Sequence, residues 1–280
     1  MGPMRVGFVK YLNTLPLVQG LEASRELELI PAVPSRLGEM LAGGEVDVAL
    51  CSLVDYATSA VPLTLIDAGG IGCDGPTLTV RVFSDVAASE IRTLHADTDS
   101  HTSVVLARLL LRLSHGVDVG IVNYHAREQV STAPGQAADA SGQWPGSVLL
   151  IGDKVVTGAP PSGRYAHEFD LGEWWKAQTG LPFVYAVWMC RSADAGRAEI
   201  GTLAGLLERQ RLRNTARTAW LVERAVDERH WPRALAHRYV TEYLRYELGP
   251  RQREAIAFFL AQAGSAGLIP LRAPRWLGGV

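Results

Sequence analysis

Short apolar runs alternate with amphipathic stretches along the first two thirds of the chain. The runs predict strands at 5–9, 46–51, 63–66, 77–83, 91–95, 118–122, 147–151 and 182–190. Apolar residues at helical spacing, bounded by Ser or Gly, predict helices at 35–42, 52–59 and 102–114. Strands that alternate with helices are typical of βαβ units, so we expect an α/β fold with mostly parallel sheets.

The pattern changes from about residue 196 onward. The remaining chain predicts three helices, at 197–229, 232–246 and 250–263, and no strand. The earlier segment 131–146 is rich in Gly, Ala, Pro and Ser, which predicts a surface excursion rather than a domain boundary.

Two long apolar runs, 77–83 and 182–190, flank a central block of the chain that has its own βα pattern. This arrangement predicts two α/β lobes joined by two hinge crossings. The first lobe would contain 1–86 and 183–280, and the second would contain 87–182. Such lobes hold a ligand in the cleft between them.

Composition narrows the class of protein further. The 280 residues carry 27 Lys and Arg against 29 Asp and Glu, with no basic stripe, which argues against nucleic acid as a partner. No apolar stretch is long enough to span a membrane. The first residues lack the apolar core of a secretory signal, and three scattered cysteines fit a reducing compartment. We therefore expect a cytoplasmic location.

A glycine-rich motif, GIGCDG at 70–75, matches G-x-G-x-x-G. A dinucleotide site needs a helix directly after this motif, because the pyrophosphate binds at the helix N-terminus. Here Pro76 and the strand-like run TLTVRVF follow instead. The sequence therefore predicts a glycine-rich turn that lines a cleft, with no dinucleotide.

Motifs for metal or covalent chemistry are absent from the sequence. There is no H-E-x-x-H and no C-x-x-C, so we expect no metal ion. There is no G-x-S-x-G, and none of the cysteines has basic neighbours that would favour a thiolate nucleophile. We expect no cofactor.

Small polar residues follow four of the predicted strands. These turns contain Asn13-Thr14, Ser52, the segment 99–103 and Gly152-Asp153. Ligands bind at the carboxyl ends of strands in open α/β sheets, and helix N-termini there favour anions. Ser, Thr and Asp are also the ordinary N-caps, so capping alone is the alternative explanation at each turn. Together the turns favour a small anionic ligand.

Six motifs, in this order along the chain, resemble those of the chorismate dehydratase family of the futalosine route to menaquinone. They are YLNTLPL at 11–17, GCDGP at 72–76, TSV at 102–104, LLIGD at 149–153, DLG at 170–172 and TGLPFVYAVW at 179–188. The resemblance extends from residue 5 to about 191. The C-terminal helices are similar only in general character.

The resemblance implies a type II periplasmic-binding-protein-like fold and the conversion of chorismate to 3-[(1-carboxyvinyl)oxy]benzoate and water. It implies a catalytic role for Asn13. It implies substrate-binding roles for Tyr11, Ser52, Gly75, Thr79, Thr102, Ser103 and Asp153. Two positions depart from the family pattern: Thr79 stands where relatives often have Ser, and His101 stands where they commonly have Arg.

Two alternatives stay open from the sequence. The sister enzyme of the same route, 1,4-dihydroxy-6-naphthoate synthase, shares the fold but relies on a histidine, and His101 is the only histidine at one of these turns. A solute-binding protein would capture a small anion without turnover.

No strong general base stands out among these motifs, although Asp153 is a candidate. We therefore hypothesise that the enolpyruvyl carboxylate of chorismate takes the ring proton. Asn13 would orient that carboxylate or the departing hydroxyl, since a neutral amide adds no charge beside a dianion.

Overall fold

The computed structural model describes residues 2–97, 99–124 and 144–279. Eleven strands occur in this part of the chain: β1 Met4–Phe8, β2 Leu27–Pro31, β3 Val48–Ser52, β4 Leu63–Cys73, β5 Val80–Ser84, β6 Thr93–Asp97, β7 Gly120–Tyr124, β8 Ser147–Ile151, β9 His167–Asp170, β10 Phe183–Arg191 and β11 Leu244–Arg245. The α-helices here are α1 Leu15–Val18, α2 Pro34–Ala42, α3 Asp55–Thr58, α4 His101–His115, α5 Lys154–Thr157, α6 Leu171–Thr179, α7 Ala198–Thr215, α8 Thr218–Ala225, α9 Arg233–Arg238 and α10 Pro250–Ser265. Of the predicted excursion at 131–146, residues 131–143 lie outside the described residues.

The strands form two separate sheets, as a two-lobed α/β fold requires. The first sheet has the order β11-β4-β10-β3-β1-β2, and the second has the order β7-β6-β8-β5-β9. Both sheets are mixed, so the expectation of mostly parallel sheets is wrong. In the first sheet β1 runs parallel to β2 and β3, while β10 is antiparallel to β3 and β4. The reason is that β4 leads out of the first lobe and β10 returns into it.

The second sheet repeats this arrangement. Strand β6 is parallel to β7 and β8, whereas β5 is antiparallel to β8 and β9. The turns that follow β1, β3, β6 and β8 each lead toward a helix. The carboxyl ends of β1 and β3 face the same cleft as those of β6 and β8.

The first crossing between the sheets lies between Cys73 and Val80. Strand β5 pairs only within the second sheet, so the predicted boundary at 86/87 is wrong and the crossing comes earlier. The predicted run 77–83 is not one strand because Leu78 has a positive φ of 73°. The backbone N–H groups of Thr77 and Leu78 donate to the Asp170 carboxylate rather than to a sheet.

Asp170 also contacts the start of α6, the helix that precedes the second crossing. Its side chain caps α6 by accepting from the N–H groups of Gly172 and Glu173, at 3.0 and 3.2 Å. The chain then re-enters the first sheet at β10. One buried carboxylate thus holds the first crossing against the start of α6.

The glycine-rich segment 70–75 is not a turn over most of its length. Gly70 and Gly72 lie within β4, which continues to Cys73, and the turn begins only at Asp74. Each of these two glycines packs against backbone oxygen of β10, where a Cβ would collide. No helix follows this described segment directly; the next element is β5.

The C-terminal region contains more elements than the three predicted helices. Besides α7 to α10 it forms a π-helical turn at Tyr239–Tyr243 and the two-residue strand β11, which pairs with Cys73 and Gly72 of β4. A strand of two residues is too short to produce an alternating pattern in the sequence. None of the described helices is long and apolar enough to cross a membrane.

Candidate ligand cavity between the lobes

A cavity of about 610 Å³, counting the part that is open to solvent, lies between the two sheets. Its walls come from the turns after β1, β3, β6 and β8, from the first crossing and from β10. The C-terminal region closes it with Tyr239 and Leu244.

Asn13 lies in the 3₁₀ turn Leu12–Thr14 that follows β1. Thr14 fixes this turn, because its Oγ1 donates to the carbonyls of Val9 and Tyr11 at 2.7 and 2.8 Å. Asn13 lines the cavity, and its Oδ1 is buried with no hydrogen-bond partner among the described residues. A buried acceptor without a partner costs about 1–3 kcal/mol, so this oxygen is suited to receive a ligand donor.

Two pairs of hydroxyl groups line the cavity near the first crossing. Thr77 Oγ1 lies 2.7 Å from Tyr185 Oη, and Thr79 Oγ1 lies 2.7 Å from Tyr239 Oη. Burial raises the pKa of both tyrosines above the ordinary value of a phenol. Both therefore remain neutral hydrogen-bonding groups at physiological pH.

The second lobe contributes the N-terminus of the fifteen-residue helix α4. Ser100 caps this helix by accepting from the N–H of Ser103 at 3.3 Å, and both serines line the cavity. A capped N-terminus carries the positive end of the helix dipole, which favours a carboxylate. Pro34, at the start of α2 in the first lobe, also lines the cavity, so a second helix begins there.

None of the described residues that line the cavity carries a charged side chain. A buried charge cluster close to the wall consists of Lys154, at the start of α5, and its two partners. Lys154 Nζ lies 2.5 Å from Asp97 Oδ2 and 2.7 Å from Asp99 Oδ2, which neutralises the ammonium group. Burial raises the pKa of Asp97 to about 6, and Lys154 opposes that rise. This cluster ties the turn after β6 to the turn after β8.

Contacts between the lobes lie beside the cavity. His101 Nδ1 lies 2.6 Å from Asp55 Oδ1, and Thr102 Oγ1 accepts from the N–H of Val54 at 3.1 Å. His101 and Thr102 belong to the second lobe, whereas Val54 and Asp55 belong to the first. The start of α4 is thus docked on the turn after β3.

The structure brings five of the eight residues proposed from the sequence to the cavity wall. These are Tyr11, Asn13, Ser52, Thr79 and Ser103. Three others lie outside that wall. Thr102 is occupied in the contact between the lobes, Gly75 lies in the turn after β4, and Asp153 precedes α5 next to the wall residue Gly152.

Sequence reasoning missed several wall residues. Thr77 and Tyr185 lie within or next to the quoted motifs, but nothing in a motif distinguishes a wall residue from a core residue. Tyr239 is far from every motif, and Leu244 lies beyond it in the short strand. The available signal for a wall residue was the pair of tyrosines, Tyr239 and Tyr243, within a stretch predicted to be helical.

Within the described residues, no group of three or more His, Cys, Asp or Glu side chains is placed to hold a metal ion. Cys51, Cys73 and Cys190 are buried free thiols. The described wall therefore offers a ligand neutral hydrogen-bond donors and acceptors and the N-termini of two helices.

The fold places the chain in the class of periplasmic-binding-protein-like structures. Protein AF1704 from Archaeoglobus fulgidus superposes with a TM-score of 0.69 at 17% identity, covering 96% of this chain and 99% of that one. The alkanesulfonate-binding protein SsuA from Xanthomonas axonopodis pv. citri, solved with bound MOPS, superposes with a TM-score of 0.67 at 14% identity. That alignment covers 98% of this chain and 96% of SsuA. At such identities the likeness concerns the fold alone.

The sequence assigns the chain to a narrower group. Residues 4–265 match the model of a family described as menaquinone biosynthesis, and the protein belongs to that family. It is also similar to the chorismate dehydratase of Thermus thermophilus. The two sequences are 28% identical over 205 residues, which is 68% of this chain and 71% of the relative.

Proposed function

We propose that this protein is a hydro-lyase that removes water from chorismate and forms 3-[(1-carboxyvinyl)oxy]benzoate, a step of menaquinone biosynthesis by the futalosine route. The observation that carries the proposal is Asn13. It presents a buried amide oxygen, unpartnered among the described residues, in a cavity whose described wall has no charged side chain. The family match and the similarity to a chorismate dehydratase point to the same reaction.

The cavity suits a dianion that brings its own reactive group. The α4 N-terminus with Ser100 and Ser103 can bind one carboxylate, and hydroxyl groups at Ser52 and Thr77 offer further donors. Because no carboxylate lines the described wall, nothing there repels the two negative charges of chorismate. A neutral site also leaves the basicity of the substrate's own carboxylate intact.

The elimination breaks two bonds of the substrate and forms a ring double bond. The C–H bond at the ring carbon that bears the enolpyruvyl ether breaks, and its electron pair becomes the new double bond. The hydroxyl leaves from the adjacent carbon, and with the released proton it forms water. Aromatisation drives the reaction. The enolpyruvyl carboxylate, held close to that C–H bond, takes the proton and passes it to the departing hydroxyl, so the protein's task is orientation.

Asn13 contributes by holding the leaving group. Its Oδ1 accepts from the ring hydroxyl of the bound substrate, which satisfies the buried acceptor and sets the direction of the departing C–O bond. A fixed pose also suppresses the competing rearrangement and loss of pyruvate, since both need other conformations of the ether side chain.

The experiment is to incubate the purified protein with chorismate and follow product by mass spectrometry. We expect a product lighter by one water. Chorismate that stays unchanged but raises the thermal unfolding midpoint would mean a solute-binding protein. Inertness to chorismate together with consumption of cyclic dehypoxanthine futalosine would mean the sister synthase. A cytoplasmic location stays a prediction, which fractionation of the source cells tests.

A further inference from the structure

Tyr239 reaches the cavity from the C-terminal region, outside every motif of the resemblance. It is the first residue of the π-helical turn Tyr239–Tyr243. Such turns are rare in proteins, and those that occur are often at functional sites. The ring is 1% exposed and stacks on Trp231, with ring centroids 4.9 Å apart and planes 17° apart. This packing fixes where the hydroxyl lies.

The Tyr239 hydroxyl contacts a wall residue from a distant part of the chain. It lies 2.7 Å from Thr79 Oγ1, in the first crossing. Both side chains line the cavity, so this contact holds the Thr79 hydroxyl at the wall.

This contact holds Thr79 Oγ1 at the wall whichever of the two oxygens donates. When the Tyr239 hydroxyl donates, the Thr79 proton is free for a ligand.

We propose that Tyr239 is a positioning residue, which fixes the hydroxyl of Thr79 at the cavity wall for the elimination. This inference rests on the proposed function. Tyr239 acts as a neutral phenol, because burial raises its pKa and the Asp153 carboxylate raises it further. It acts on the reaction through Thr79 and transfers no proton itself.

The test is Tyr239→Phe, which removes one oxygen and keeps the ring stacked on Trp231. We expect kcat for chorismate to fall by about fivefold or more, since misplacement of a positioned group costs up to on the order of a hundredfold. KM should change less than kcat does, and the kcat–pH profile should keep its shape. Thr79→Val, which breaks the same contact from the other side, should act in the same direction.

Tyr246→Phe is the matched control. Tyr246 is also buried in the C-terminal region, but its hydroxyl has no hydrogen-bond partner among the described residues and it is not part of the cavity wall. Its loss should leave kcat and KM unchanged. If Tyr239→Phe folds normally and lowers kcat by less than about fivefold, or changes KM alone, the inference is wrong.

Two further outcomes keep the inference separate from the proposed function. If wild-type protein does not convert chorismate, the proposed function fails, whatever Tyr239 does. If Tyr239→Phe does not fold, Thr79→Val decides: normal kcat in that variant would overturn the inference, and a lowered kcat with little change in KM would support it.

Discussion

His101 Nδ1 lies 2.6 Å from Asp55 Oδ1, and this contact joins the second lobe to the first beside the ligand cavity. The family pattern that the sequence resembles implies an arginine at the position of His101. In this protein the side chain at that position contacts a buried carboxylate of the other lobe and does not line the cavity. Its charge therefore serves the docking of the lobes, and that charge depends on pH.

The His101–Asp55 contact makes stability depend on pH. The Asp55 partner raises the pKa of His101 above its ordinary value of 6.5, burial opposes that rise, and Glu39 adds to it. Burial raises the pKa of Asp55, which His101 opposes. A raised histidine pKa stabilises the folded state fully below 6.5 and loses its effect as the pH rises through the folded value.

We therefore expect the free energy of unfolding to decline, as the pH rises above 6.5, more steeply in the wild type than in His101→Gln. Urea titrations at several pH values measure both slopes. Equal slopes for the two proteins would show that this contact does not bind a proton on folding.

Lys154 is a buried cation, and its replacement should lower the free energy of unfolding. Its side chain is 7% exposed and that of Asp97 is 2% exposed. Lys154→Met leaves the Asp97 charge buried without its partner. We therefore expect the free energy of unfolding to fall by about 3–5 kcal/mol at roughly pH 7.5. The loss should be smaller near pH 5, because the pKa of Asp97, already raised to about 6, rises further without Lys154 and the carboxyl becomes neutral.

The matched control is Lys176→Met. Lys176 pairs with Asp74 at 2.5 Å, but the two side chains are 35% and 42% exposed. Removal of a surface pair of this kind should cost less than about 1 kcal/mol at either pH. A similar loss in both variants, or a pH-independent loss at Lys154, would contradict the assignment of the buried cluster.

Gly172, in the first turn of α6, tests how closely the two crossings approach each other. A Cβ there would collide with Thr77 Oγ1, Cys73 Sγ and the carbonyl oxygen of Gly75. Gly172→Ala should therefore destabilise the fold by about 1–3 kcal/mol and disturb the cavity wall at Thr77. In contrast, Gly201→Ala in α7 meets no atom within 4 Å and should stabilise the fold by about 0.5–1 kcal/mol. Thermal and urea unfolding of the two variants should give opposite signs.

The two-lobed fold and the turns that carry the cavity followed from the sequence because both depend on local patterns. Alternating runs mark strands, and polar residues at strand ends mark the side where ligands bind. The crossing at Leu78 could not be predicted, since its positive φ accompanies a hydrogen bond to the Asp170 carboxylate, 92 residues away in the chain. The role proposed for Tyr239 was hidden for the same reason. Its partner Thr79 precedes it by more than half of the chain.

Asn13 is the residue on which the proposed function most depends, and replacing it tests that function most directly. Asn13→Asp keeps the shape of the side chain but places a negative charge beside a dianion and makes the amide N–H side an acceptor. Asn123→Asp adds the same charge on the exposed surface of β7 and serves as the matched control.

The decisive measurement is the rate at which chorismate loses water, followed by the mass of the product for the wild type, Asn13→Asp and Asn123→Asp. We predict product from the wild type and from Asn123→Asp at similar rates. We predict a rate for Asn13→Asp lower by about a hundredfold or more, with an unchanged unfolding midpoint. Near-normal turnover by Asn13→Asp, or no product from the wild type, would contradict the proposed function.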